Sequence, residues 1–132
     1  MENLFAYGTL MSQEIFRAVT GVQIDSQAAI LTGFSCWSVR GEVYPAIIPD
    51  ASGLVQGVVY RSIDGQVWRC LDQYEGPMYT RQAVTVRLND GTLLSASTYA
   101  WNGDDVAQLD RPGWRFSDFM DRFGADYLKG LA

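Results

Sequence analysis

The sequence has no histidine, a single lysine, two cysteines and four prolines. Without histidine, a Ser-His-Asp triad, a Cys-His nucleophile pair and any His-containing zinc site are excluded. The lone lysine, Lys129, lies near the C-terminal end of the sequence, which argues against a buried lysine base or a Schiff base. The other basic residues are nine arginines, scattered through a chain whose 15 acidic residues outnumber its 10 basic ones and give a net charge of -5. No concentrated basic face of the kind that holds nucleic acid is present. No apolar run approaches the roughly 18 residues needed to span a bilayer. Met1-Glu2-Asn3 lacks the basic start and long apolar stretch of a signal peptide. The expectation is a cytoplasmic protein without nucleic-acid or membrane partners, a monomer or weak homodimer. Cys36 and Cys70 are too far apart for a CxxC motif and read as reduced, partly buried thiols. If this chain moves protons at neutral pH, a carboxylate is the carrier left to it.

What is present is enough for a core. At 132 residues, with 48% hydrophobic and 13% aromatic side chains, the chain reads as one domain over 1–132. Leu4 to Tyr7 forms a short buried strand running into Gly8-Thr9-Leu10-Met11, and Ser12 is placed to cap a helix. Ile15, Phe16 and Val19 share that helix's inner face, and Gly21 ends it. Ala28 to Ile48 is strand-like, broken by Gly33, Gly41 and Pro45. Asp50-Ala51-Ser52-Gly53 reads as a turn before a further strand, Leu54 to Tyr60.

Asp64 caps a second helix with Val67, Trp68, Leu71 and Tyr74 on one face, and Gly76-Pro77 stops it. Tyr79 to Leu88 alternates as a strand, with Val84, Val86 and Leu88 to one side. Asn89-Asp90-Gly91 turns it into its partner, Thr92 to Trp101. Phe116, Phe119, Met120, Phe123 and Tyr127 fall at helical spacing and read as a docking helix, or at least a helical turn, that covers part of the core. The sum is an α+β fold, a curved or barrel-like sheet with helices at its edges.

Two segments can carry chemistry. Tyr7-Gly8-Thr9-Leu10-Met11-Ser12 is a strand-to-helix turn whose glycine lets the backbone approach a ligand. Its successive amides suit a carboxylate or phosphate. Taken alone it reads first as an ordinary turn in which Gly8 serves only geometry. In Leu71-Asp72-Gln73-Tyr74-Glu75-Gly76, Glu75 ends the second helix, where the dipole disfavours an anion and shielding from water would raise its pKa. Taken alone it reads first as a solvated surface glutamate that ends a helix.

Together they are distinctive. Leu4-Phe5-Ala6-Tyr7-Gly8-Thr9-Leu10-Met11, Gly41-Glu42-Val43-Tyr44-Pro45-Ala46-Ile47, Gly57-Val58-Val59-Tyr60 and Leu71 to Gly76 with Tyr79 and Arg81 stand in the order and spacing of the gamma-glutamylcyclotransferase-like family. Over roughly residues 3 to 101 the chain resembles that family, closest to its plant avirulence-induced-gene-like branch and bacterial relatives. The resemblance implies a small mixed, largely antiparallel β-barrel with flanking helices. It also implies cyclisation of a γ-glutamyl amino acid or γ-glutamylamine to 5-oxoproline with release of an amine. Substrate binding falls to Tyr7, Gly8, Thr9, Leu10, Met11, Ser12 and Tyr79, and the acid/base role to Glu75. The animal cyclotransferases have serine and asparagine after the loop glycine, where this chain has Thr9 and Leu10.

The residues fit such a reaction on chemical grounds. The substrate's own α-amine attacks its γ-carbonyl, so no enzyme nucleophile is required, and one carboxylate suffices without metal or cofactor. Tyr44 and Tyr79 are candidates to position substrate or Glu75, with a core role open for each. Arg81 reads as the partner of an acidic neighbour. The alternative is a non-catalytic module that binds a small carboxylate on the same fold. No apolar stripe or charge run supports a purely structural interaction protein.

Overall fold

The computed structural model describes residues 2–102 and 106–131. The domain expected over 1–132 also takes in Met1, residues 103–105 and Ala132, which lie outside the described residues.

The chain runs β1 (Glu2–Ala6), a 3-10 turn (Thr9–Met11), α1 (Gln13–Thr20), β2 (Ser26–Val39), β3 (Pro45–Ile63) and α2 (Gly65–Glu75). It continues through β4 (Tyr79–Leu88), β5 (Leu93–Trp101), a second 3-10 turn (Val106–Gln108) and β6 (Leu109–Pro112). The last elements are α3 (Phe116–Phe119), a π-helical stretch (Met120–Gly124) and α4 (Ala125–Leu131). None of the described helices is long and apolar enough to cross a membrane.

Five strands close on themselves in the order β3-β1-β5-β4-β2, with β2 pairing back onto β3. β1 lies antiparallel to β3, with Leu4 opposite Tyr60, and parallel to β5, with Leu4 opposite Ser97. The other staves are antiparallel, and β6 extends β2 outside the closed ring. The period-two alternation of β1 feeds two cores. Phe5 and Tyr7 pack inside the barrel with Leu31, Val55, Val59, Val86 and Ala100. Leu4 and Ala6 face the helices, packing with Ile15, Phe16, Val67, Trp68, Leu71 and Phe119.

The helix signals hold in detail. The Ser12 hydroxyl accepts from the Ile15 amide at 3.2 Å, Asp64 accepts from Val67 at 2.9 Å, and Gly21 closes α1 in the left-handed conformation at φ 77°. Ser12→Ala is expected to cost about 1 kcal/mol, read as a lowered denaturation midpoint.

Two expectations are corrected. Asp50-Ala51-Ser52-Gly53 does not separate two strands, because β3 runs unbroken through it for 19 residues. Thr32 pairs with Leu54 and Phe34 with Pro49, so Gly33 alone faces the four residues 50–53 in a large bulge. The local chemistry of a turn survives inside the strand, since the Ser52 amide still donates to the Asp50 carboxylate at 3.1 Å. Nor is the C-terminal helix uniform. Its π-helical turn contains Phe123, which is 43% exposed instead of sharing the inner face with Phe119.

Candidate active site

The end of β1, the start of β3, the last turn of α2 and α4 enclose a cavity of about 130 Å³. That is near the ~150 Å³ of a cavity that admits benzene, so it suits a small ligand. Its walls include Tyr7, Gly8, Thr9, Leu10, Glu75 and Tyr79, residues from both segments singled out in the sequence. Met11 and Ser12 do not line it. Met11 faces a separate groove with Trp114 and Phe116, and Ser12 is occupied as the cap of α1.

The glycine loop is held from several sides. Tyr60, stacked on Phe16 with ring centroids 4.1 Å apart, donates its hydroxyl to the Leu10 carbonyl at 2.7 Å. Tyr7 donates to the Tyr99 carbonyl at 2.5 Å, tying the loop's start to β5. A Cβ on Gly8 would stand 3.1 Å from the Pro45 ring, so the glycine allows β3 and the loop to meet. Within the loop, the amides of Met11 and Ser12 are used by the Gly8 and Thr9 carbonyls. Among the turn, loop and cap bonds of the described residues, the amides of Gly8, Thr9 and Leu10 donate in none.

Six of the chain's seven tyrosines line this one cavity: Tyr7, Tyr44, Tyr74, Tyr79, Tyr99 and Tyr127. Tyr79 donates to the Pro45 carbonyl at 2.6 Å, and its ring meets those of Tyr44 and Trp101 edge-on. Tyr99 donates to Asp72 at 2.6 Å. Tyr74 shares one hydrogen bond with Thr9 at 2.7 Å and another with Tyr127. Burial raises the phenols of Tyr7, Tyr74, Tyr79 and Tyr99 above their ordinary range, so they act as neutral hydroxyls.

Among the described residues Glu75 is the single carboxylic acid in the lining, and no arginine or lysine accompanies it. It is partly exposed, with protein packed closely enough around it that burial pushes its carboxyl up to about 8. Its place as the last residue of α2 adds the unfavourable end of the helix dipole. The carboxyl at this position is therefore divided between its two protonation states near neutral pH, the condition a proton carrier needs.

Arg81 behaves as the sequence suggests, pairing with Asp72 at 3.7 Å outside the cavity, its guanidinium 4.4 Å over the Trp68 ring. Cys36 and Cys70 are free and half-buried, and burial pushes the Cys36 thiol up to about 12. No cluster of metal-ligating side chains occurs among the described residues. Sequence reasoning missed Tyr99 and Tyr127 as cavity residues. Each sits in a hydrophobic pattern that explains its ring, and the unexplained feature in both cases is the phenolic oxygen.

With this geometry in place, comparisons with known proteins identify the family. The family described as Gamma-glutamyl cyclotransferase, AIG2-like, matches residues 4–117. AIG2-like protein C of Arabidopsis thaliana is 35% identical over 127 residues, covering 96% of this chain and 73% of that protein. AIG2-like protein D of the same plant is 33% identical over 131 residues, covering 98% of this chain and 86% of its own length. A solved structure of a gamma-glutamyl cyclotransferase superposes with a TM-score of 0.71 at 17% identity, over 98% of this chain and 85% of that one. A solution structure from Arabidopsis thaliana gives a TM-score of 0.76 at 24% identity, over 98% and 79%. At such identities the likeness is one of fold. The chain belongs to the gamma-glutamyl cyclotransferase, AIG2-like family.

Proposed function

We propose that the protein converts a γ-glutamyl amino acid or γ-glutamylamine to 5-oxoproline and a free amine, with Glu75 as general acid and base. The observation that carries this reading is the lone Glu75 carboxyl in the cavity, pushed up to about 8 by burial.

The amides of Gly8, Thr9 and Leu10 hold the substrate's α-carboxylate, a task that needs no cation. The cavity walls fold the glutamyl chain so that its α-nitrogen stands against its γ-carbonyl carbon, which supplies the proximity that a free chain lacks. Ionised Glu75 takes a proton from the α-ammonium. The freed nitrogen pair forms the new C–N bond, and the γ-carbonyl π electrons move onto oxygen. When they return, the bond to the leaving nitrogen breaks and Glu75 delivers its proton there. Ionised again, it takes the second proton from the ring nitrogen, which attack had left as N–H2+, and passes it to the released amine, so that the products are the neutral lactam and an ammonium. Glu75 ends as it began, and no second carboxyl is consumed.

The test is a panel of γ-glutamyl amino acids and γ-glutamylamines assayed for 5-oxoproline, with Glu75→Gln alongside. Turnover of at least one member, falling by about 10²-fold or more in Glu75→Gln, is the expected result. Binding without turnover of any member would establish the non-catalytic module instead. Activity unchanged in Glu75→Gln would remove the mechanism.

A further inference from the structure

The loop amides and Glu75 leave one wall of the cavity without a task. That wall is Tyr127 of α4, the one lining residue beyond the segment 4–117 that the family shares. The π-helical turn Met120–Gly124 brings it there. A π turn takes in one extra residue, so the helix beyond it is rotated by about 100° relative to an unbroken α-helix. Gly124 ends that turn with the Met120 side chain packed over it, a Cβ there standing 3.0 Å from Met120 Cε. Phe119, meeting the Tyr127 ring edge-on at 5.3 Å, then fixes the phenol's direction.

The Tyr127 hydroxyl is bonded to that of Tyr74, which is bonded in turn to Thr9 Oγ1 at 2.7 Å. Counting protons constrains this chain. Three hydroxyls bring three protons, and the two links use two of them. The third is left on Thr9 or Tyr127, the opposite end then presenting lone pairs alone, or on Tyr74 when that hydroxyl accepts both links. A carboxylate on the glycine loop draws the free proton to Thr9, the end beside it. Tyr74 then donates to Thr9 and Tyr127 donates to Tyr74. Each link polarises the next, and Tyr127 is left facing the cavity as an acceptor.

We propose that Tyr127 is a substrate-contacting residue that accepts an N–H from the glutamyl α-nitrogen, and that the bound carboxylate sets it to accept by ordering the Thr9–Tyr74–Tyr127 chain. This rests on the reading of the cavity as a γ-glutamyl site. The contact orients the nitrogen so that its free pair, once Glu75 has taken a proton, points at the γ-carbonyl. In the product the same contact is made by the lactam N–H of 5-oxoproline.

The test compares two ligands by calorimetric titration. One is 5-oxoproline. The other is 5-oxotetrahydrofuran-2-carboxylate, which keeps the carboxylate and the ring carbonyl but has oxygen in place of N–H. Wild type is expected to bind the lactam at least tenfold more tightly than the lactone. Tyr127→Phe keeps the ring against Phe119, and should lose that preference by weakening the lactam while changing the lactone less than threefold. Thr9→Val leaves the Tyr127 hydroxyl in place but removes the group that the carboxylate polarises, so the preference should shrink there too. Equal weakening of both ligands in Tyr127→Phe would make Tyr127 a packing residue and overturn the proposal. So would a wild type that turns over γ-glutamyl substrate while Tyr127→Phe keeps the full lactam preference. A wild type that binds neither ligand and turns over no γ-glutamyl compound overturns the functional reading and this assignment together.

Discussion

Glu75→Gln is expected to cut turnover by about 10²-fold or more and, at pH 8 and above, to leave a protein more stable than the wild type. The sign follows from the proton count. Folding raises this carboxyl from 4.5 to about 8, so between those values the folded protein holds a proton that the unfolded chain has released. Below pH 4.5 both states are protonated and the group contributes nothing. As pH rises through the window, wild-type stability is lost at up to about 1.4 kcal/mol per unit, reaching a ceiling near 5 kcal/mol above pH 8. Water in the cavity solvates part of the anion and lowers that ceiling. Glutamine stays neutral throughout. Urea midpoints should therefore diverge from a gap of about 1 kcal/mol at pH 5.5 to a plateau above pH 8. A gap that is the same at every pH would show that Glu75 does not titrate in this range. In the proposed reaction the same carboxyl must be ionised to accept the substrate's proton. In the wild type, kcat/KM should accordingly climb about tenfold per pH unit on the acid side of 8 and then level off.

Gly57→Ala is the second large effect, and here the cause is steric. Gly57 lies in β3 opposite Ala29, and a Cβ there would stand 2.4 Å from the Ala6 carbonyl oxygen and 2.7 Å from Phe5 Cζ. The phenyl ring can turn aside, but the carbonyl belongs to the backbone of β1. The strand must therefore shift bodily, and Ala6 is followed directly by Tyr7 and Gly8 of the loop. A loss of about 3 kcal/mol or more is expected from the denaturation midpoint, with a raised KM in whatever protein remains folded. Gly65→Ala is the control, since nothing stands within 4 Å of a Cβ at that position.

Much of this molecule was legible locally. Ser12, Gly21, Asp64 and Gly76 punctuate helices where their side chains or backbone freedom say they should, and Asn89-Asp90-Gly91 turns β4 into β5. Such signals depend on a few neighbouring residues, so one sequence contains them whole. The segment 50–53 misled because its turn chemistry is real. What overrides it is the long pairing of β2 with β3, and that is a property of the sheet. The closure of the barrel and the parallel pairing of β1 with β5 leave no local trace either. At the site, the loop glycine and Glu75 could be found because backbone approach and a helix end each have a local cause. The ring of tyrosines could not. Its members sit in six different elements or loops, and each satisfies its own segment's pattern of apolar residues.

The central place of β1 has a consequence for how the protein is made. Its partners are Val58 to Ile63 on one side and Ser97 on the other. During synthesis from the N-terminus, this first strand has no second neighbour until β5 has emerged from the ribosome. Tyr7 likewise waits for the carbonyl of Tyr99. Barrel closure and completion of the cavity floor are therefore one late, long-range event, of the kind that makes folding slow relative to helical proteins. No chain stalled before β5 has a complete cavity, and such a nascent chain would hold an unsatisfied apolar strand, Leu4-Phe5-Ala6, for a chaperone to cover.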